Sequence, residues 1–183
     1  MASARTDDPF DTLGLPAAFG LDAPRIERAA LARLSQLHPD VSDAADSEDM
    51  EIAAARINAA RDVLLFSLSR AEAMLKRLGG PAKEAEKGLP PGFLMEVMQV
   101  REQVEEALAT GDAAARATWM TWALERRRQM ESRASDLFST ATSDTQALRE
   151  IRILLNQWRY IERMIEQLDP AYDPGQSDVG GTA

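Results

Sequence analysis

Leu37-His38-Pro39-Asp40 separates two apolar helical patterns and decides how they are joined. Upstream, Asp22 caps a pattern that runs to Leu37, with Pro24 in its first turn and Ile26, Ala30, Leu34 and Leu37 at helical spacing, Leu31 lying at the edge of the stripe. Proline cannot continue a helix and drives the residue before it out of the α region, so this pattern stops at the histidine. Downstream, Val41 to Asp49 is polar and acidic, a loop ending in a helix cap at Asp46 or Ser47. A second pattern follows, with Met50, Ala53, Ile57, Ala60 and Leu64 at steps of three and four. Two such stripes joined by a polar loop predict an antiparallel helical hairpin with His-Pro-Asp at its tip.

Residues 1–8 are small and polar and are expected to be flexible. In Pro9–Pro16, Phe10, Leu13 and Leu15 pin one helical turn to a core before Gly14 and Pro16 end it. Beyond the hairpin, Ser67 to Leu78 supports a further short helix. Residues 79–92 carry two glycine-proline clusters around a charged segment and read as a linker, with residues 9–78 forming the domain before it. Three long helical patterns follow, at about 93–109, 113–138 and 144–168. The first is ended by Gly111, the second capped by Asp112, and the third opened by the capping box Ser143-Asp144-Thr145-Gln146. The third carries the seam Ala147, Ile151, Leu154, Trp158, Ile161, Ile165 and Leu168, which an antiparallel three-helix bundle over residues 93–168 would bury. The tail 169–183, rich in proline and glycine, is expected to be disordered. The predicted fold class is all-α: a helical hairpin domain followed by a three-helix bundle.

Composition agrees with that class. The chain of 183 residues is 45% hydrophobic, 28% charged and only 5% aromatic, the balance of a folded, helix-rich soluble protein. A net charge of −9 opposes the basic field that nucleic-acid binding requires. With no cysteine and one histidine, disulfides, thiolate zinc sites, cysteine-ligated clusters and a cysteine nucleophile are excluded, and no metal or cofactor is expected. No apolar run approaches the roughly 20 residues of a membrane span and no hydrophobic signal core is seen, so the expectation is a cytoplasmic protein without membrane contact.

Candidate functional residues fall into two groups. His38 and Asp40 have the chemistry of an acid–base pair, but they flank a proline with no nucleophile or glycine-rich loop nearby, and a rigid polar turn suits protein docking better. Arg25 and Arg28 lie opposite the buried stripe and Arg33 beside it; they form either a solvated face or a positive docking surface leading into the turn. In the 93–109 helix, Phe93, Val97, Val100, Val104 and Leu108 complete a core stripe. Leu94, Met95 and Met98, with Glu102, Glu105 and Glu106, are left on a second face. Either this face meets a partner, for which methionines are suited, or its apolar residues widen the buried side. Ile153, off the seam of the last helix, is a candidate to join that partner surface. Arg126-Arg127-Arg128 reads as a solvated helix face, and the carboxylates show no metal-ligand spacing.

Four blocks resemble J-domain proteins and, among them, the HscB family, the J-domain co-chaperones of iron–sulfur cluster assembly. They are Phe10-x-x-Leu13-Gly14-Leu15-Pro16; Leu37-His38-Pro39-Asp40; Ile57-Asn58-x-Ala60-x-x-x-Leu64 with Leu68-x-Arg70-Ala71-Glu72-x-x-Leu75; and Phe93-Leu94-Met95-Glu96 with Arg101-Glu102. The similarity spans residues 9–168. It implies a non-enzymatic co-chaperone whose J-domain engages a DnaK/HscA-type ATP-dependent chaperone and stimulates its ATPase, while the bundle carries the iron–sulfur cluster scaffold protein. By motif, His38, Pro39 and Asp40 would dock on the chaperone with electrostatic support from Arg25, Arg28 and Arg33; Leu94, Met95, Met98, Glu102, Glu106 and Ile153 would meet the scaffold. Val41 stands where a basic residue commonly follows the turn and Ser35 thins the basic face further, while Ser67 and Ala73 replace a proline and an aromatic at the J-domain exit. Two other readings stay open: a J-protein for a different client, and a structural helical adaptor with a vestigial J-domain.

Overall fold

Asp8 starts the first helix by accepting from the Phe10 and Asp11 backbone N–H groups, and Gly14, at φ 68°, ends it in the left-handed conformation that glycine adopts without strain. This is α1 (Pro9–Leu13), which buries Phe10 and Leu13. The computed structural model describes residues 8–37, 44–140 and 144–172, and all regular structure in them is helical. After α1 come α2 (Ala23–Ser35), α3 (Ala44–Leu65), α4 (Ser67–Arg77), α5 (Phe93–Thr110), α6 (Ala113–Thr140) and α7 (Thr145–Leu168). They form two compact units, the first ending at Arg77 and the second beginning at Leu78.

In the first unit, Asp22 Oδ1 caps α2 by accepting from Arg25 N at 2.7 Å. Ile26 and Ala30 of α2 meet a core that includes Ile57, Ala60 and Leu64 of α3, whereas Leu34, Leu37, Met50 and Ala53 are only half-buried. Arg61, near the end of α3, reaches Glu27, near the start of α2, through Nε–Oε2 at 2.7 Å and Nη2–Oε1 at 2.8 Å, which makes the pair antiparallel. The α3–α4 junction is built on Arg70, 6% exposed: its guanidinium donates to Leu64 O and to Ser67 Oγ and lies 5.3 Å from the Phe19 ring centroid. Ser67 thus supplies a hydroxyl acceptor at the exit of this unit. Arg77 closes the unit by pairing with Asp8 and Asp11, which between them raise its pKa.

The second unit is a bundle of α5, α6 and α7. Along α6, Arg116, Arg127 and Arg133 meet successively earlier residues of α7, namely Leu168 O at 2.8 Å, Glu162 at 3.0 Å and Glu150 at 2.7 Å, so the two helices run antiparallel. Asp144 caps α7 through Gln146 N and Ala147 N, while Ser143 of the expected capping box lies outside the described residues. The predicted α7 seam is buried from Ile151 to Leu168, with Ala147 half-buried; Leu148, Leu155 and Met164 are buried as well, which makes α7 the central helix. In α5 the stripe drifts: Ala107 is buried and Leu108 is 36% exposed. At ~100° per residue Leu108 stands about 60° around the helix from Phe93 and Ala107 about 40° to the other side, so Ala107 takes the core position and Leu108 the rim.

One expectation is corrected. Arg126-Arg127-Arg128 is not a solvated face. Arg127 is 5% exposed and bonded to Glu162, which also accepts from Trp158 Nε1 at 2.7 Å; Arg126 pairs with Glu96 and lies 5.4 Å from the Trp122 ring centroid, and Arg128 alone is exposed. Residues 79–92 belong to the second unit and are hydrogen-bonded to α7 rather than hanging free. Here α5, at 18 residues, is shorter than α6 at 28 and α7 at 24, and the connector lies beside the stretch of α7 that precedes the α5 contact.

Candidate functional site

On the first unit, Arg25 and Arg28 are exposed on the outer face of α2, three residues apart and hence one turn from each other. Leu31, 63% exposed, continues the same strip toward the hairpin tip. Arg33 does not share it. Its guanidinium turns onto the end of α1, where a Cβ added at Gly14 would stand 2.6 Å from Nη2. Glu27, beside the strip, is neutralised by Arg61; the hydrogen bond from Arg61 holds the Glu27 carboxyl below its usual range, against a smaller opposing effect of burial. His38, Pro39 and Asp40, with Val41, lie outside the described residues.

On the second unit, α5 buries Val97, Val104 and Ala107 and turns a continuous apolar face outward: Leu94 is 48% exposed, Met95 68% and Met98 57%. Glu102 and Glu106 prolong this face and are exposed. Among the described residues their acidic neighbours are paired, Glu105 with Arg101 at 2.7 Å and Glu96 with Arg126, while Glu102 and Glu106 make no ion pair. The surface is therefore an apolar centre with a net acidic margin, suited to a partner patch that is apolar with a basic rim.

Ile153 is half-buried on α7. The start of α5 meets α7 through the edge-to-face contact of Phe93 with Tyr160, ring centroids 6.0 Å apart. Tyr160 and Ile153 are seven residues apart and so lie on one side of α7, about 10 Å apart along its axis. Ile153 thus lies about two turns of α7 before the point where the start of α5 makes contact, with the connector beside it. A Cβ added at Gly88 would stand 3.5 Å from Ile153 Cγ1.

The sequence reading passed over the residues that hold this connector. Asn156, 8% exposed, donates from Nδ2 to Glu86 O at 3.0 Å and to Gly88 O at 3.1 Å. Glu86 Oε1 accepts from Gly88 N at 2.7 Å and Oε2 from Arg149 Nε at 2.5 Å; these two bonds, the backbone one foremost, keep its carboxyl below the ordinary range. The signal was present as Arg152 and Asn156, two polar residues one turn apart beside the apolar seam of α7. Among the described residues no group of three or more His, Cys, Asp or Glu side chains could hold a metal ion, and no helix is long and apolar enough to cross a membrane.

Comparison with known proteins places these surfaces in context. Residues 89–169 match the family described as the HSCB C-terminal oligomerisation domain. The Co-chaperone protein HscB homolog of Bordetella petrii is 32% identical over 173 residues, covering 92% of this chain and 98% of that protein. That of Burkholderia mallei is 31% identical, covering 88% of this chain and 92% of the relative. Among solved structures, human HscB superposes with a TM-score of 0.77 at 20% identity, covering 91% of this chain and 82% of the other. The chaperone HscB from Vibrio cholerae gives 0.73 at 24% identity, with 89% and 96% covered. At those identities the two structures speak for the fold.

Proposed function

The chain belongs to the HscB family of co-chaperone proteins, and from that premise we propose that it delivers an iron–sulfur cluster scaffold protein to a DnaK/HscA-type ATP-dependent chaperone and stimulates that chaperone's ATPase. The observation that carries this reading is the outward apolar face of α5. Three large apolar side chains between 48% and 68% exposed, flanked by Glu102 and Glu106, have no role in the bundle core and suit a protein client. In this reading the J-domain contributes His38, Pro39 and Asp40 with Arg25 and Arg28 beside them, and Arg33 supports the α1–α2 junction that presents them. The bundle contributes Leu94, Met95, Met98, Glu102, Glu106 and Ile153. The protein itself performs no chemistry: it raises turnover by holding two partners together and by binding the chaperone's hydrolysis-competent state more tightly than its resting state.

The test is ATP turnover by the cognate chaperone with scaffold and this protein present. Wild type accelerates hydrolysis, and His38→Gln, which keeps a polar side chain of similar size but loses the imidazole, does not. Equal turnover with the two proteins would remove the basis of the reading.

A further inference from the structure

The connector is held by buried polar groups that a helical bundle core does not require. Arg152, 1% exposed, donates from Nε to Asn156 Oδ1 at 3.1 Å, and this fixes the Asn156 amide with its NH₂ toward the connector. That NH₂ bridges the carbonyls of Glu86 and Gly88. Glu86 closes the turn from the other side, bonding Gly88 N with one carboxylate oxygen and Arg149 with the other. An apolar residue at 156 would leave the Glu86 and Gly88 carbonyls without their donor; what the polar pair supplies is one defined position for the connector.

That position has a consequence at Ile153. Gly88 is the residue laid beside it, and its φ is not positive, so the backbone does not demand glycine there. A Cβ there would stand 2.8 Å from Glu86 Oε1, the oxygen that accepts from Gly88 N, and 3.5 Å from Ile153 Cγ1, so the missing side chain lets the Glu86 clasp close with the turn laid beside Ile153. The geometry points to the turn Glu86–Gly88, laid beside Ile153, as a third wall of the scaffold-docking face, set by Arg152 and Asn156 as positioning residues and closed by Glu86 at Gly88. This rests on the reading that the outer face of α5 receives the scaffold. The occupant is that same protein, whose apolar patch would extend from Leu94 and Met98 across the connector.

The experiment measures binding of the apo scaffold protein by calorimetry, hydrogen exchange of residues 79–92, and chaperone ATPase without scaffold, all on the full chain. Asn156→Ala loosens the connector: its amides exchange faster and scaffold affinity falls about tenfold, the factor expected when the docked turn drops to about a tenth of the population. Gly88→Ala, whose Cβ pushes Glu86 Oε1 off Gly88 N, loosens the same turn from the other side, and affinity falls together with the exchange protection. Neither variant changes scaffold-free ATPase stimulation, which belongs to the J-domain. An Asn156→Ala protein with a loosened connector and wild-type affinity overturns the inference, as does a Gly88→Ala protein with a loosened connector that binds as wild type. A wild type that does not bind scaffold at all overturns the underlying reading, and the inference with it.

Discussion

Replacing Leu94 and Met98 together by serine tests the docking face where its energy can be computed. Fully burying a leucine or methionine side chain is worth about 1.5–3 kcal/mol. These two retain 48% and 57% of their exposure in the free protein, so docking recovers about half of that value at each, about 2–3 kcal/mol for the pair. Serine forfeits it, and the scaffold dissociation constant rises about 30- to 150-fold. The fold is unaffected, because Val97, Val104 and Ala107 carry the α5 core. Calorimetric titration gives the affinity, circular dichroism checks helicity, and scaffold-free ATPase checks the J-domain. Leu108→Ser is the matched control: it is also exposed, at 36%, but two heptads from Leu94, and it changes the dissociation constant by less than about twofold. If the double variant binds as wild type, or if Leu108→Ser weakens binding equally, α5 does not dock its partner through this face.

Two further outcomes concern stability. Arg127→Met takes the guanidinium from the half-buried Glu162 and costs about 2–3 kcal/mol, lowering the bundle's melting temperature by about 10 °C or more, whereas Arg127→Met with Glu162→Leu restores most of it; thermal melts of the two variants decide. The Glu27 carboxyl is depressed in the fold, so its pairing with Arg61 stabilises above the unfolded carboxyl pKa of about 4.3 and is lost as pH falls through the lower folded value. Both partners are more than a third exposed, so solvent screening leaves a few tenths of a kcal/mol. Urea titrations of Glu27→Gln should show that gap at pH 7 and none near pH 2.

What periodicity could reveal, it did. The seam from Ile151 to Leu168 is buried where a 3.6-residue repeat puts it, and the outward turn of Leu94, Met95 and Met98 follows from the same arithmetic on α5. Caps were legible because they are local: Asp22 and Asp144 bond backbone groups two or three residues away. Leu108 was misread because a step of four from Val104 overshoots the stripe, whereas a step of three reaches Ala107. Arg127 was misread because a run of like charges says nothing about which member faces a carboxylate 35 residues later.

The connector was illegible for a deeper reason. Glycine and proline report that a helix cannot form, and from that the sequence suggests a linker, but they carry no information on whether the non-helical chain is packed. That is settled by lengths elsewhere. Once α6 and α7 outrun α5, one side of α7 at Arg149, Ile153 and Asn156 needs cover, and the chain entering α5 is the nearest segment able to supply it. Asn156 satisfies two carbonyls that a buried non-helical backbone would otherwise leave unpaired, a cost of about 1–3 kcal/mol for each. In α7, two buried polar residues one turn apart mark where irregular chain packs against the helix. In this protein the mark falls beside Ile153, so what fixes the connector also shapes the surface offered to a client.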